Sequence, residues 1–382
     1  MRTAKQWTWA AALLAGACTA QAADFVPEQI TVAQMPPANP YRLYVSDVAI
    51  SHIVDGRMHI VDGESLKYTG MIGTGFTGLA TLSPDRSEIY VATTYLAKLN
   101  RGTRTDQIDV YDSQTLKIKA EIEIPPKHAQ ALPYKGTIAV TPDGRYIISQ
   151  NATPASSVAI TDRKAEKFVT EVPTPGCWGI LPAQSVANRF TTVCGDGTLL
   201  TVTLGADGKP SDQQRSERLF DPDKSPIFTQ TVNDGDEYSF LSFYGDIYTA
   251  NLGGAVAKIG ASWSLLDEAD RKDNWRPGGY QPFALSKENG RLYVAMHPNG
   301  VEGSHKNPAQ EIWAYDLATK KRVERVEGNN AVALEVSRGA NPLLFAIDPL
   351  SAGLVNYTTT PKLAVGKRVD GFGEAPILIE TH

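Results

Sequence analysis

His59-Ile60-Val61-Asp62, Asp109-Val110-Tyr111-Asp112 and Ala159-Ile160-Thr161-Asp162 are three copies of one phrase, a short β-favouring run that ends on an aspartate. The closing aspartates stand at 62, 112 and 162, a spacing of 50 residues each time. A fourth copy, Ile312-Trp313-Ala314-Tyr315-Asp316, comes 154 residues after the third, close to three more periods. β-branched and aromatic residues suit a pleated, half-buried surface. Aspartate opens a turn by accepting hydrogen bonds from the backbone a few residues on. A strand-and-turn unit repeated at this period indicates blades stacked around an axis. The sequence therefore predicts an all-β fold, a β-propeller.

Each blade phrase has a second recognisable part, a turn that feeds a strand. Ser83-Pro84-Asp85-Arg86-Ser87 precedes Glu88-Ile89-Tyr90-Val91, Thr141-Pro142-Asp143-Gly144-Arg145 precedes Tyr146-Ile147-Ile148, and Lys287-Glu288-Asn289-Gly290 precedes Arg291-Leu292-Tyr293-Val294. Proline, aspartate or asparagine, and glycine supply the turn chemistry in that order. After the closing aspartate a charged outer strand is expected, and residues 115–122 alternate apolar and charged as such a strand should. Looser copies around Leu204, Asn251 and Tyr357 fill the remaining places, so the count is seven blades, with six or eight left open by the looser copies. One helix is expected, over residues 264–273, capped by Ser262 or Ser264.

The domain organisation follows from composition. Residues 1–22 read as a secretory signal: Arg2 and Lys5, an apolar stretch too short to span a bilayer, then Ala20-Gln21-Ala22 as a cleavage site. A lipoprotein reading at Cys18 is weaker, because a small residue stands where such sites carry a larger aliphatic one. Residues 23–40, with Pro27, Pro36, Pro37 and Pro40, read as an extended arm, and 41–382 as the propeller. Cys177 and Cys194 remain after export, and two cysteines in an exported chain are expected to pair. Asp196-Gly197 just after them is a type I′ hairpin signal and puts the two cysteines on neighbouring strands. The formal net charge is −5 with no basic stripe, which argues against a nucleic-acid partner.

The catalytic inventory is thin. There is no G-x-S-x-G and no phosphate-cradling G-x-x-x-x-G-K-[ST]. Gly73, Gly75 and Gly78 imitate a glycine-rich loop without the βαβ context that would make it one. His297, Glu302 and His305 share a segment, but their spacing is no helical metal pair, so no metal site is assigned. His59 alternates with apolar neighbours, as a blade residue does, and Asn151-Ala152-Thr153 reads as a plain turn rather than a glycosylation site. The sharpest polar cluster is Arg101-Gly102-Thr103-Arg104-Thr105-Asp106. Two arginines beside an aspartate suit a bidentate pair. Arg101, Arg104 and Asp106 thus read either as an ion-paired hairpin connection or as a docking surface for a partner.

The run from Arg101 to Asp106 with Asp112 behind it, and Trp275-Arg276-Pro277-Gly278-Gly279-Tyr280 followed by Gly290-Arg291-Leu292-Tyr293, resemble the heavy subunit of the quinoprotein amine dehydrogenases. The Cys177 and Cys194 pair is similar to the disulfide of that family, and the resemblance covers nearly all of the chain after the signal. The stretches Asn151 to Ser157, Gly176-Cys177-Trp178, Phe243 to Tyr248 and Met296 to Lys306 look closest to the aromatic (aralkyl) amine branch.

The resemblance implies a periplasmic tetramer of two heavy and two light chains that oxidises a primary, aralkyl amine to aldehyde and ammonia. It implies no catalytic residue and no cofactor in this chain. The cofactor, tryptophan tryptophylquinone, and the catalytic aspartate base would belong to the light subunit, with electrons passing to a blue copper protein of the azurin or amicyanin type. Gly75-Phe76-Thr77 matches the position where a heavy-chain phenylalanine borders the substrate channel, and the surrounding glycines let the loop pass close to a neighbour. Phe76 is the substrate-channel candidate; as a plain blade residue it would sit in the core. A stand-alone binding propeller, or a metal-dependent one, is the competing reading.

Overall fold

The computed structural model describes residues 34–130 and 133–382. The expected signal at 1–22 and most of the arm at 23–40 lie outside the described residues. Seven sheets of four or five strands form seven blades, as the repeat requires. In the second blade Leu79–Leu82, Glu88–Leu96, Arg104–Asp112 and Ile118–Ile124 pair in chain order, all antiparallel. The third blade runs through Ile138–Val140, Tyr146–Asn151, Ser157–Asp162 and Lys167–Pro173, and the fourth through Cys177–Pro182, Arg189–Cys194, Leu199–Leu204 and Pro210–Arg215. The fifth, sixth and seventh begin on Ile227–Asp234, Phe283–Ser286 and Ala333–Val336. The first blade is made from both ends of the ring. Pro376–Thr381 is its innermost strand and pairs with Arg42–Asp47, which leads on to Gly56–Asp62 and Lys67–Gly75.

The recurring aspartates close the third strand of their blades, and their turns share one geometry. Asp62 accepts Ser65 N at 2.8 Å, Asp112 accepts Thr115 N at 2.7 Å, Asp162 accepts Ala165 N at 2.8 Å and Asp316 accepts Thr319 N at 2.9 Å. The next residue is left-handed every time: Leu66, Leu116, Glu166 and Lys320 have φ between 50 and 58°. The aspartate side chain thus holds a non-glycine residue in a conformation it rarely adopts.

Blades pack through seven apolar clusters, each made largely by facing sheets. Tyr90, Ile108 and Val110 of the second blade meet Ile147 of the third in one of them. Such nearest-neighbour interfaces carry the stability of a repeat ring.

Three local expectations are corrected. The helix is only Glu268–Lys272, capped by Asp267, whose side chain accepts Asp270 N at 2.9 Å while Asp270 Oδ2 accepts Asp267 N at 3.1 Å. Trp263–Ser264 instead pairs with the third strand of the fifth blade, because the apolar Leu265 and Leu266 that follow are drawn into the core. The Asp196-Gly197 hairpin is not type I′: only Gly197 has positive φ, at 84°, and Cys194 exchanges bonds with Gly197 N and the Thr198 carbonyl. Asn151 is no turn residue but the buried end of Tyr146–Asn151, with its amide donating to Ser157 Oγ at 3.0 Å.

Candidate functional site

Strand order divides the loops between two faces. On one, the crossover face, the chain passes from the outermost strand of a blade to the innermost strand of the next. The same face carries the loops between second and third strands. The aspartate turns lie on the opposite face.

Phe76 lies in the first crossover, between Lys67–Gly75 and Leu79–Leu82. Its ring is half-buried and belongs to none of the seven core clusters, which sets it apart from the blade-core residues. The loop is tightly seated. Gly75 has φ of 63°, and a Cβ there would collide with the Thr93 hydroxyl, as one at Gly78 would with the Thr74 carbonyl. Gly73 is open by comparison, with nothing within 4 Å of a Cβ. Thr93 Oγ1 donates to the Thr74 carbonyl at 2.6 Å, Phe76 N to the Thr94 carbonyl at 3.2 Å and Thr77 N to the Ile53 carbonyl at 3.3 Å. Thr77 Oγ1 donates to the Gln130 carbonyl.

The Arg101 to Asp106 cluster separates into two parts. Arg104 and Asp106 form a bidentate pair, Nε to Oδ1 at 2.7 Å and Nη2 to Oδ2 at 2.6 Å, and the Asp106 carboxylate is buried. Asp106 also accepts Thr94 Oγ1 and His128 N, both at 2.8 Å. Burial pushes the His128 imidazole down to about 4, against a smaller upward pull from Asp106. Arg101 stands apart at the exposed hairpin tip, where it donates to Asn100 Oδ1 at 3.2 Å. The ion-paired connection therefore takes Arg104 and Asp106, and of the three only Arg101 is left exposed.

Cys177 and Cys194 are bonded to each other and are directly opposite partners on neighbouring strands of the fourth blade. Among the described residues no three histidine, cysteine, aspartate or glutamate side chains gather as a metal site needs. His297 is buried with Nδ1 3.2 Å from the Pro298 carbonyl, whereas Glu302 and His305 are exposed.

The innermost strands surround a central channel of about 680 Å³. No histidine or cysteine is among the described residues that line it. Near the crossover face an ion pair between Lys135 and Glu335 ties the third blade to the seventh across the channel. Gln281 Nε2 donates to Glu335 at 2.7 Å, and Gln281 also exchanges bonds with the Ile379 backbone at 3.0 and 3.1 Å. This end of the channel is braced rather than open for chemistry.

Sequence reasoning missed a feature that only the assembled ring displays. Leu350, Leu99, Val301 and Ile50 are the four most exposed large apolar side chains among the described residues, at 76, 73, 67 and 65%. All four lie in loops between second and third strands, on the crossover face, and they come from the seventh, second, sixth and first blades. These blades are consecutive around the ring, and the Phe76 crossover lies within the same arc. In the sequence they form two pairs at the blade period, Ile50 with Leu99 and Val301 with Leu350, each 49 residues apart, but that spacing does not say which loop side chains stay exposed.

Residues 39–382 match the family described as methylamine dehydrogenase heavy chain (MADH). The chain belongs to the methylamine dehydrogenase heavy chain family. It is the heavy subunit of a methylamine dehydrogenase-type amine oxidoreductase. It is 27% identical to the methylamine dehydrogenase heavy chain of Methylobacillus flagellatus over 97% of this chain and 95% of that one. It is 28% identical to the heavy chain of Paracoccus versutus over 93% and 82%. Among solved structures, a putative 6-phosphogluconolactonase from Bacteroides uniformis aligns with TM-score 0.61 and 11% identity over 89% and 99% of the two chains. That likeness concerns the propeller fold alone. As an MADH-type heavy chain, the subunit comes from a family that is periplasmic, works with a light subunit and in general lacks the quinone cofactor.

Proposed function

We propose that this heavy chain is the non-catalytic platform of a periplasmic amine dehydrogenase that converts a primary arylalkyl amine to aldehyde and ammonia. The quinone-bearing light subunit supplies the reacting group, and a blue copper protein of the azurin or amicyanin type takes the electrons. Two heavy and two light chains make up the assembly. The observation that carries this reading is the family match over residues 39–382.

This chain's own residues do not fit a tryptophan-derived quinone. Its close pair of described tryptophans, Trp275 and Trp313, have ring centroids 4.9 Å apart but are buried. Arg325 lies over both rings and Arg322 over Trp313, and neither tryptophan lines the central channel. The cofactor is therefore assigned to the light chain.

The arc of exposed apolar loops from the sixth blade round to the second favours that face as the seat of the light chain. Apolar side chains held out by separate loops on one side of a soluble protein mark an interaction surface. Arg101, beside Leu99 on the same hairpin, belongs to that surface. Phe76 then lies where heavy and light chains meet, and its ring borders the route of the substrate. An aromatic wall there contacts an arylalkyl substituent and excludes water. The aralkyl preference rests on this ring and on the local resemblance of residues 151–157, 176–178, 243–248 and 296–306 to the aromatic branch.

Co-expression with the light chain and its maturation factors tests the proposal. The assembled enzyme is expected to turn over 2-phenylethylamine with higher kcat/KM than methylamine, and the isolated heavy chain neither. Amine oxidation by the heavy chain alone sinks the platform reading, and a preference for methylamine sinks the aralkyl one. Leu99→Asp or Leu350→Asp is expected to cut light-chain co-purification at least about tenfold, as a charge forced into a desolvated contact does. Full co-purification with either variant removes this arc from the interface.

A further inference from the structure

We infer that Asp106, held by Arg104, is a positioning residue that fixes the Phe76 loop, so that a half-buried ion pair on the second blade sets the amine selectivity of the assembled enzyme. The inference rests on the channel role of Phe76 proposed above.

The Phe76 crossover has few means of holding its own shape. It leaves the outer edge of the first blade at Gly75, the last residue of its strand, and two left-handed residues flank Phe76, Gly75 at φ 63° and Thr77 at φ 46°. A β-branched threonine is disfavoured there and persists only when its surroundings impose it. The side-chain bond that imposes it comes from Thr77 Oγ1 to the Gln130 carbonyl.

Two routes lead from that loop to Asp106. On the first, Thr94 is the bridge. Its carbonyl accepts Phe76 N at 3.2 Å, and its hydroxyl donates to Asp106 Oδ1 at 2.8 Å. On the second, the 125–130 segment is the bridge. Asp106 Oδ2 accepts His128 N at 2.8 Å, and Arg104 Nη2 donates to the His128 carbonyl at 3.1 Å, so the ion pair grips that residue by both its backbone groups. Two residues on, Gln130 offers the carbonyl that holds Thr77. The backbone N–H of Phe76 and the side chain of the next residue, Thr77, are thus tied to one carboxylate.

The composition of the pair fits this role. Asp106 receives four donors, Arg104 Nε, Arg104 Nη2, Thr94 Oγ1 and His128 N, which leaves neither oxygen unused. Arg104 and Asp106 stand two residues apart on the same strand, so their contact joins no distant parts of the chain by itself. What it joins is the second-blade strand Glu88–Leu96 and the crossover into the third blade, and both of these hold the Phe76 loop, beside the bond from Thr77 N to the Ile53 carbonyl. A planar guanidinium and a carboxylate fix each other in one orientation, which suits a clamp better than a single charge would.

The test is a steady-state comparison in the assembled heavy–light enzyme. The readout is the ratio of kcat/KM for 2-phenylethylamine to that for methylamine, measured with Asp106→Asn, Thr77→Val, Phe76→Ala and the Asp106→Asn/Phe76→Ala double variant. Thr77→Val keeps the shape and removes only the hydroxyl, so the proposal stays testable should Asp106→Asn assemble poorly. Asp106→Asn and Thr77→Val are each expected to shift the ratio about threefold or more, in the direction of Phe76→Ala, within the range that pocket contacts give. The change should fall on KM for the larger amine, with kcat for methylamine kept within about twofold. In the double variant the Asp106→Asn change should add nothing to Phe76→Ala, because the group it positions is gone. If Phe76→Ala moves the ratio and neither Asp106→Asn nor Thr77→Val does, the clamp is wrong and the channel role stands. If Phe76→Ala leaves the ratio unchanged, the channel role falls and the clamp with it. Equal losses for both amines at unchanged KM reduce Asp106 to a structural residue and overturn the proposal.

Discussion

His128 is sealed between the second and third blades, and neither of its ring nitrogens has a hydrogen-bond partner. An imidazole in that position stays neutral, since a charge without a partner is costly to bury. Its folded-state pKa of about 4 lies below the ordinary unfolded value of 6.5. The unfolded chain therefore binds the extra proton first. Stability is full above about pH 6.5 and falls as pH drops towards 4, with a slope of up to about 1.4 kcal/mol per pH unit. Urea unfolding at pH 7.5 and pH 5 should show this slope, and His128→Gln should flatten it. An unchanged slope would assign the pH dependence to other groups. At this scale the sequence was only partly readable. The arginine–aspartate pairing was visible in residues 101–106, but not which arginine would turn inward. That depends on the 125–130 segment lying against the strand, a contact made 22 residues away along the chain.

The aspartate turn is the unit from which the blades are recognisable, and its chemistry is local, which is why it could be read directly. Asp112 accepts Thr115 N, Gln114 N and Thr115 Oγ1, and these bonds hold its carboxyl below the usual range, the Thr115 N–H most of all. Asp112→Ala should cost about 1 kcal/mol of unfolding free energy, as the loss of a capping side chain does, with light-chain assembly unaffected. A change within error would mean that Leu116 keeps its left-handed backbone without help. The contribution is present above the unfolded carboxyl pKa and lost as pH falls through the lower folded value. The disulfide was legible for the same reason, because two cysteines flanking a hairpin leave few other partners. With its ends 17 positions apart in the chain, removal by Cys177→Ser/Cys194→Ser should cost roughly 3 kcal/mol in the chain-entropy model, read by chemical unfolding. Amine selectivity should stay the same, since the fourth blade carries none of the four exposed apolar loops. The helix lies inside the expected range but is shorter than expected, because its propensity was weighed without the sheet beside it. Leu265 and Leu266 are claimed by the core, and pairing of Trp263–Ser264 leaves only five residues for the helix.

The ring as a whole is closed by one strand, Pro376–Thr381, paired from Leu43↔Thr381 to Asp47↔Pro376. His382 adds a bond from its backbone N to the Arg42 carbonyl at 3.0 Å, and its ring nitrogen meets the Tyr44 hydroxyl at 2.8 Å. The number of blades was readable from the period, whereas the face that meets a partner was not, because periodicity places strands and says nothing of which loop side chains stay out in water. Ending the chain after residue 375 should expose the edge of Arg42–Asp47 and turn a cooperative unfolding transition into a broad one, as followed by calorimetry. Retention of a single sharp transition would show that the other six blades close without the strand. The closure also has a consequence for biogenesis. Residues 42–75 have to wait, one strand short, until Pro376–Thr381 has been made. Until then the chain keeps an unpaired β edge, which is an aggregation hazard. A chaperone that shields this edge should raise the yield of native protein.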